Sequence, residues 1–275
     1  MRAEMEQALA EFVVSPSDES ATLQLLDQLD APRYAERRAA FAALLEESAL
    51  PVGLISKFRG DAASDNQRMM IDQLLNLNDE TSAEKRLRGL LKEIATEGIT
   101  GLSAQVLSAL HGREATEAGT TDWARRAIRA TVQPGDLPKI RVALKSPTVL
   151  VRRAAVVGMA EVLGEAEIDL LLALREDADD ATRFRIAILL AEREHRECLD
   201  VFASLLHSKA FAYRIQSADA LILLTGQDFG YLADAIPEQR KEPADLWGRW
   251  VKKFGAKAEL AFDQFMLMED GFGEP

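Results

Sequence analysis

The residues with most capacity for chemistry in this chain are His195 and Cys198, three positions apart and so on one face of a helix, with His207 one element further on. Thiolate and imidazole are zinc ligands, but a closed zinc site takes four ligands and a catalytic one three plus an open position. No CxxC or HExxH spacing supplies the rest. The pattern therefore predicts a partly buried thiol and surface histidines, with no metal and no cofactor. GFGEP, at residues 271–275, precedes no helix and is not a phosphate cradle. One further constellation is a carboxylate beside an aromatic ring in basic surroundings, which Trp123 with Asp122 or Asp136 offers.

Charge supplies the other candidates. The formal net charge is −12, which argues against coating nucleic acid or an anionic membrane with the whole surface. Locally the sign reverses. Between Trp123 and Arg153 eight Lys or Arg face one acid, Asp136; between Glu161 and Asp180 eight acids face one base, Arg175. Two readings of the basic block stand open. In one, Arg125, Arg152 and Arg185 reach acids of the neighbouring repeat as a ladder of exposed ion pairs, each worth about 0–1 kcal/mol. In the other, Lys139, Arg141 and Lys145, with Arg125 and Arg129 in the same block, capture an acidic peptide or a phosphate-bearing ligand on a concave face. Nucleic acid is the weaker candidate, because the acidic block would repel a phosphate backbone running further along the groove.

The elements that must position these residues are helices. Apolar residues recur at helical spacing in segments of roughly 10 to 16 residues separated by short turns. With 28% charged and only 6% aromatic residues, and few Gly or Pro, the composition is that of an all-α protein. At 275 residues it can form one elongated domain or two ordinary ones. A position expected to be buried recurs at Ala39, Ala127, Ala154, Ala187 and, as glutamine, Gln216, each preceded by an arginine two residues earlier: Arg37, Arg125, Arg152, Arg185 and Arg214. The last four arginines are 27, 33 and 29 residues apart, the variable spacing of a helical-pair repeat. Shorter partners lie between: PVGLISKF, GDLPKIRVAL, EIDLLLAL and ECLDVFASLL.

A helix with Val-Arg-x-x-Ala-type residues, a turn and a Leu-rich helix resembles the HEAT repeat, most clearly from Thr121 to Leu224 and again from Leu23 to Leu75. Ser82 to Gly112 departs from the repeat, with Arg86 and Arg88 off register. LDAPRYAERRAAFAALLEESALPVGLISKF and LTGQDFGYLADAIPEQRKEPADLWGRWV are similar to the opening and closing units of HEAT-repeat proteins common in planctomycete-type bacteria. The resemblance implies a right-handed α-solenoid of HEAT-like hairpins and a generic role as a protein-binding scaffold, not an enzyme. HEAT-type di-iron hydroxylases carry His-Glu pairs, whereas Gly112, Arg196 and Ser208 follow the three histidines here. HEAT-like DNA glycosylases have a basic concave face with aromatics, so a nucleic-acid-binding or glycosylase-like protein using residues 123–153 is the alternative.

The expected layout is one continuous domain: an N-terminal cap helix over 1–22, HEAT-like and irregular repeats over 23–120, regular repeats over 121–224, and a closing unit over 225–275. In that unit Gly226 is placed to end the helix ADALILL in the left-handed conformation, and Phe229 and Tyr231 fold back as apolar anchors. Pro243 is expected to start the next helix, on which Trp247, Trp250, Val251 and Phe254 fall at i, i+3, i+4 and i+7. A solenoid must cover the core of its last repeat, and these aromatics are expected to do so rather than form a ligand platform. Leu260, Phe262, Phe265, Met266 and Met268 are expected to pack back on this cap, self-association through residues 258–268 being their other use. Near the start, Ser15 and Pro16 predict a turn and Asp18 or Ser20 a helix start. MRAEMEQALAEF lacks the pattern of an export signal and no apolar run reaches about 18 residues, so a soluble protein, cytoplasmic by default, is expected, with export after removal of a signal as the open alternative.

Overall fold

Helices form wherever the apolar residues recur every three or four positions, and they account for every regular element of the described residues. The computed structural model describes residues 1–13, 16–46, 52–78, 82–111, 113, 118–162, 164 and 168–267. The protein is all-helical, as composition predicts, and the chain divides into two compact units, Met1–Val162 and Leu163–Pro275. That division falls inside the 121–224 block. No helix among the described residues is long and apolar enough to cross a membrane.

The first unit contains α1 (Arg2–Ala10), α2 (Pro16–Gln28), α3 (Tyr34–Glu46), α4 (Val52–Gly60), α5 (Asp65–Asn78), α6 (Ser82–Glu97), α7 (Ser103–Ala109), α8 (Ala118–Thr131), α9 (Leu137–Ala143) and α10 (Val149–Val162). α2 starts at Pro16, ahead of Asp18 and Ser20, because the fixed φ of proline suits a first helical position. Ser15 lies outside the described residues. α2 to α5 pack together around Leu26, Leu44, Ile55, Ile71 and Leu74, all fully buried. Gln67 ties this group internally: its side-chain oxygen accepts the Ala63 N–H at 2.7 Å and its amide donates to the Leu26 carbonyl at 2.9 Å.

α1 packs on α6 and α7, far along the chain. Arg2 donates to the Gly101 carbonyl at 3.3 Å and Gln105 to the Glu6 carboxylate at 2.6 Å. Phe12, 1% exposed, lies with the guanidinium groups of Arg86 and Arg113 each 5.6 Å from its ring centre, cation–π contacts that anchor the end of α1. α2 to α5 are therefore a four-helix excursion between two segments that meet, whereas a simple repeat stack touches only its neighbours in sequence. α8 lies against α6 and α10, and α10 also packs on α7 and α9. At Gly158 the approach is close: a Cβ there would come 2.8 Å from Ile128 Cγ2 and 3.0 Å from Ile140 Cδ1.

The second unit contains α11 (Ile168–Leu174), α12 (Asp180–Ala191), α13 (Cys198–Leu205), α14 (Phe211–Thr225), α15 (Pro237–Trp250), a π-turn over Val251–Gly255 and α16 (Phe262–Leu267). Asp179 caps α12, accepting the Thr182 N–H at 2.9 Å. Gly226 ends α14 at φ 65°, its N–H donating to the Ile222 carbonyl at 2.8 Å, the stop read from the sequence. Tyr231 folds back and donates its hydroxyl to the Leu206 carbonyl at 2.5 Å. Phe229 meets Trp247 edge-on at 4.8 Å, and Trp250 lies 6.1 Å from Trp247, which is fully buried.

Two details differ from expectation. Pro237 starts α15 after the extended Ile236, and Pro243 lies inside the helix. The α-helical spacing stops at Trp250, where the backbone widens into the π-turn, so the i+7 position no longer faces the core. Phe254 is 46% exposed, with its ring 6.2 Å from Trp250 and the Lys253 ammonium 4.9 Å from its centre. Further on, Phe265 is buried 6.3 Å from Phe202, and the Ala261 N–H donates to the Leu224 carbonyl at 2.9 Å. The C-terminal apolar segment thus packs on α13 and α14, leaving Met266 exposed; Met268 lies outside the described residues.

Three helices start with one shared device. The fourth residue of α3, α10 and α14 is Arg37, Arg152 or Arg214, and its Nη1 donates to two carbonyls of the loop just passed, six and five residues back. The distances are 2.7 and 3.1 Å to Ala31 and Pro32, 2.9 and 3.2 Å to Ser146 and Pro147, and 3.0 and 2.7 Å to Ser208 and Lys209. A guanidinium holds such carbonyls with charge-assisted bonds that a loop cannot supply to itself. Of the two arginines aligned with these in sequence, Arg125 binds Asp122 of its own helix at 3.2 Å and Arg185 lies 3.8 Å from Glu192 at the end of α12. The contacts of Arg125, Arg152 and Arg185 named here run within a hairpin. An ion pair that joins successive long helices is Arg129 of α8 with Glu161 of α10, at 3.1 Å.

Candidate partner-binding cleft

The basic block folds into α8, α9 and the start of α10, and α9 carries the cations outward because its other face is apolar. Ile140, Ala143 and Leu144 turn into the core, leaving Lys139, Arg141, Val142 and Lys145 exposed. A 3₁₀ turn, Pro134–Asp136, sets the direction of α9 through a capping box with Gln133. Asp136 accepts the Gln133 N–H at 3.0 Å and the Lys139 ammonium at 3.1 Å. Burial alone would raise the Asp136 pKa, but the nearby Ser103 hydroxyl and the hydrogen bonds from Lys139 and the Gln133 backbone outweigh it and hold the carboxyl below its usual range.

Lys139, Arg141 and Lys145 line one open cleft of about 740 Å³. Its other wall is α7, through Ala104, Leu107 and Ser108, with His111 just beyond. Val151 of α10 and the loop residues Ser146 and Pro147 complete it. The same loop carbonyls are held by Arg152, so the arginine that starts α10 also fixes the cleft. No carboxylate occurs among the described lining residues, which makes this a positive site on a negative chain. Among the described residues Lys145 has no ion-pair partner. Val142 stands between Arg141 and Lys145 at 74% exposure.

Of the five cations expected to bind a partner, the structure brings three into the cleft. Arg125 and Arg129 are not among its lining; they pair with Asp122 and Glu161. Sequence reasoning missed the α7 wall and His111, which lie in the segment that departs from the repeat pattern. The alternative constellation is committed elsewhere: Asp122 binds both Arg125 and Arg126, while Trp123 carries the Arg126 guanidinium 5.0 Å and the Lys92 ammonium 5.8 Å from its centre. Neither Asp122 nor Asp136 lines the cleft.

The thiol, His195 and His207 fall in the second unit. Cys198 is fully buried, and burial together with the nearby Glu197 charge pushes its pKa well up, so the thiolate is suppressed. His195 is 3.8 Å from Glu197, and His207 is 3.8 Å from Asp245. Among the described residues no group of three His, Cys, Asp or Glu is arranged to hold a metal. Comparison with protein-family models, curated proteins and solved structures gives no match.

Proposed function

We propose that the chain is a non-catalytic scaffold, a right-handed α-solenoid of HEAT-like hairpins closed by the Trp247 and Trp250 unit, which captures an acidic segment of another protein. The observation that carries this reading is the convergence of Lys139, Arg141 and Lys145 on one cleft of about 740 Å³ whose described lining holds no carboxylate. The shared arginine device at the starts of α3, α10 and α14 supports the repeat character. Positive charge here raises the encounter rate and favours acidic partners over others, while exposed apolar surface beside it supplies area to bury. The rest of the acidic surface turns away polyanions long enough to reach it.

The test is capture at low and at moderate salt by the wild type and by the triple variant Lys139→Glu, Arg141→Glu, Lys145→Glu. A salt-sensitive protein partner lost in the variant, with helical circular dichroism unchanged, is the expected result. Binding that survives the triple reversal refutes the cleft as the site, and recovery of nucleic acid in place of protein refutes the class of partner.

A further inference from the structure

The cleft presents more than charge, and resting on the reading above, the geometry points to the ligand it takes: we infer that it binds an extended segment in which one aliphatic residue lies between two acidic residues spaced about three apart. Two observations carry this. First, Val142 is 74% exposed between Arg141 and Lys145, and Leu107, Pro147 and Val151 line the same cleft. A site for bare phosphate or for a nucleic-acid backbone has no use for an exposed valine among its cations, whereas an aliphatic side chain laid on Val142 removes apolar surface from water. Second, the terminal cations are Lys139 on α9 and Lys145 in the turn after it, six residues apart, roughly 9–10 Å at 1.5 Å per helical residue and about 2 Å per residue in the 3₁₀-like turn. A polyproline-II segment, an extended helix with three residues per turn and about 3.1 Å per residue, spans that distance in three residues and brings the side chain back to the same edge. A single phosphate or carboxylate reaches one end of the site, and a peptide in that conformation with acids at i and i+3 reaches both along one edge while the residue at i+1, on the adjacent edge, lies over Val142. The cleft's volume, about 740 Å³, lies within the roughly 300–1,000 Å³ that ligand sites enclose and admits a short segment.

Asp136 has a positioning part in this. It holds the Lys139 ammonium at 3.1 Å and fixes that cation at one end of the cleft, so that the separation of the two ends is set by the fold.

The experiment uses the full-length protein and labelled hexapeptides followed by fluorescence anisotropy at low salt. The reference has the core Glu-Leu-Ala-Glu; a second replaces Leu by Ser; a third keeps the composition with the two acids adjacent. The reference is expected to bind at least about tenfold tighter than either, a difference of about 1.4 kcal/mol. Val142→Ser, a change at an exposed position, is expected to remove the preference for Leu while leaving the melting temperature unchanged, and Lys145→Gln to remove the preference for spaced acids. Equal affinity of the three peptides overturns the inference but leaves capture by charge standing. Absence of binding by all three, at concentrations where the wild type captures its partner, overturns the inference alone; absence of both overturns it together with the scaffold reading. Displacement of the reference peptide by inorganic phosphate or hexanoate at equal concentration overturns it in favour of a small-anion site.

Discussion

Replacing Gly158 by alanine tests the packing that sets the cleft. An alanine in the middle of a helix is worth about 1 kcal/mol over glycine, and by that rule alone the change stabilises. The structure opposes it. The new Cβ would lie 2.8 Å from Ile128 Cγ2 and 3.0 Å from Ile140 Cδ1, against the 3.5–4.0 Å typical of carbon contacts. Cδ1 of Ile140 is the far end of its side chain and can turn aside. Cγ2 of Ile128 hangs on a β-carbon whose rotamer is nearly fixed in a helix, so α8 or α10 must shift as a body. Overpacking of this kind costs about 1–3 kcal/mol, which leaves Gly158→Ala destabilising by about 1 kcal/mol. Gly89 is the control: it is exposed within α6 and a Cβ there meets nothing within 4 Å, so Gly89→Ala should gain about 1 kcal/mol. Calorimetry should show the two melting temperatures of the first unit moving in opposite directions by about 2–4 °C each. If both variants gain equally, the α8–α9–α10 contact is not tight and does not set the position of α9 in the cleft.

Arg214 donates to three carbonyls, those of Ser208, Lys209 and, through Nε, Ala233; Arg214→Lys cannot span them and should cost about 2–3 kcal/mol in urea unfolding. Arg37→Lys, at a more exposed loop, should cost less than half as much, and a reversed order would contradict the geometry. Trp247→Ala should cost about 3–5 kcal/mol, whereas Phe254→Ala, at 46% exposure, should change stability by less than about 1 kcal/mol. Asp136 has a depressed pKa when folded, so its stabilising contribution is complete above the ordinary value of 3.8 and is lost as pH falls through the lower, folded value. Asp136→Asn should therefore be less stable than wild type at neutral pH and show a shallower loss on acidification; equal pH slopes would remove Asp136 from the capping box.

The all-helical class was legible because helical periodicity and composition agreed along the whole chain. Gly226 was legible for a local reason: a glycine after the last apolar turn has one obvious use. Pro243 misled because two prolines stand six apart, each chemically able to start a helix, and only the extended backbone of Ile236 selects Pro237. The π-turn was hidden, since Val251–Gly255 reads as continued helix and the turn is one that α13 packs against. Lys139, Arg141 and Lys145 were found from local charge, but the cleft was not, because its α7 wall is about 35 residues away in sequence and belongs to the segment that fits the repeat least.

The docking of α1 on α6 and α7 has a consequence for how the first unit is made. The arginine bracket of α3 closes over six residues, while the Arg2–Gly101 and Glu6–Gln105 contacts each close over 99. By the (3/2)RT ln n rule the longer closure costs about 2.5 kcal/mol more in chain entropy. During synthesis at about 5–20 residues per second, α1 must wait about 5–20 s for its partners to emerge, with Leu9 and Phe12 uncovered. The α2–α5 group can condense in that interval, so α1 docks after the four helices that follow it in sequence, and the apolar edge it leaves open is where a nascent chain of this protein is most open to capture.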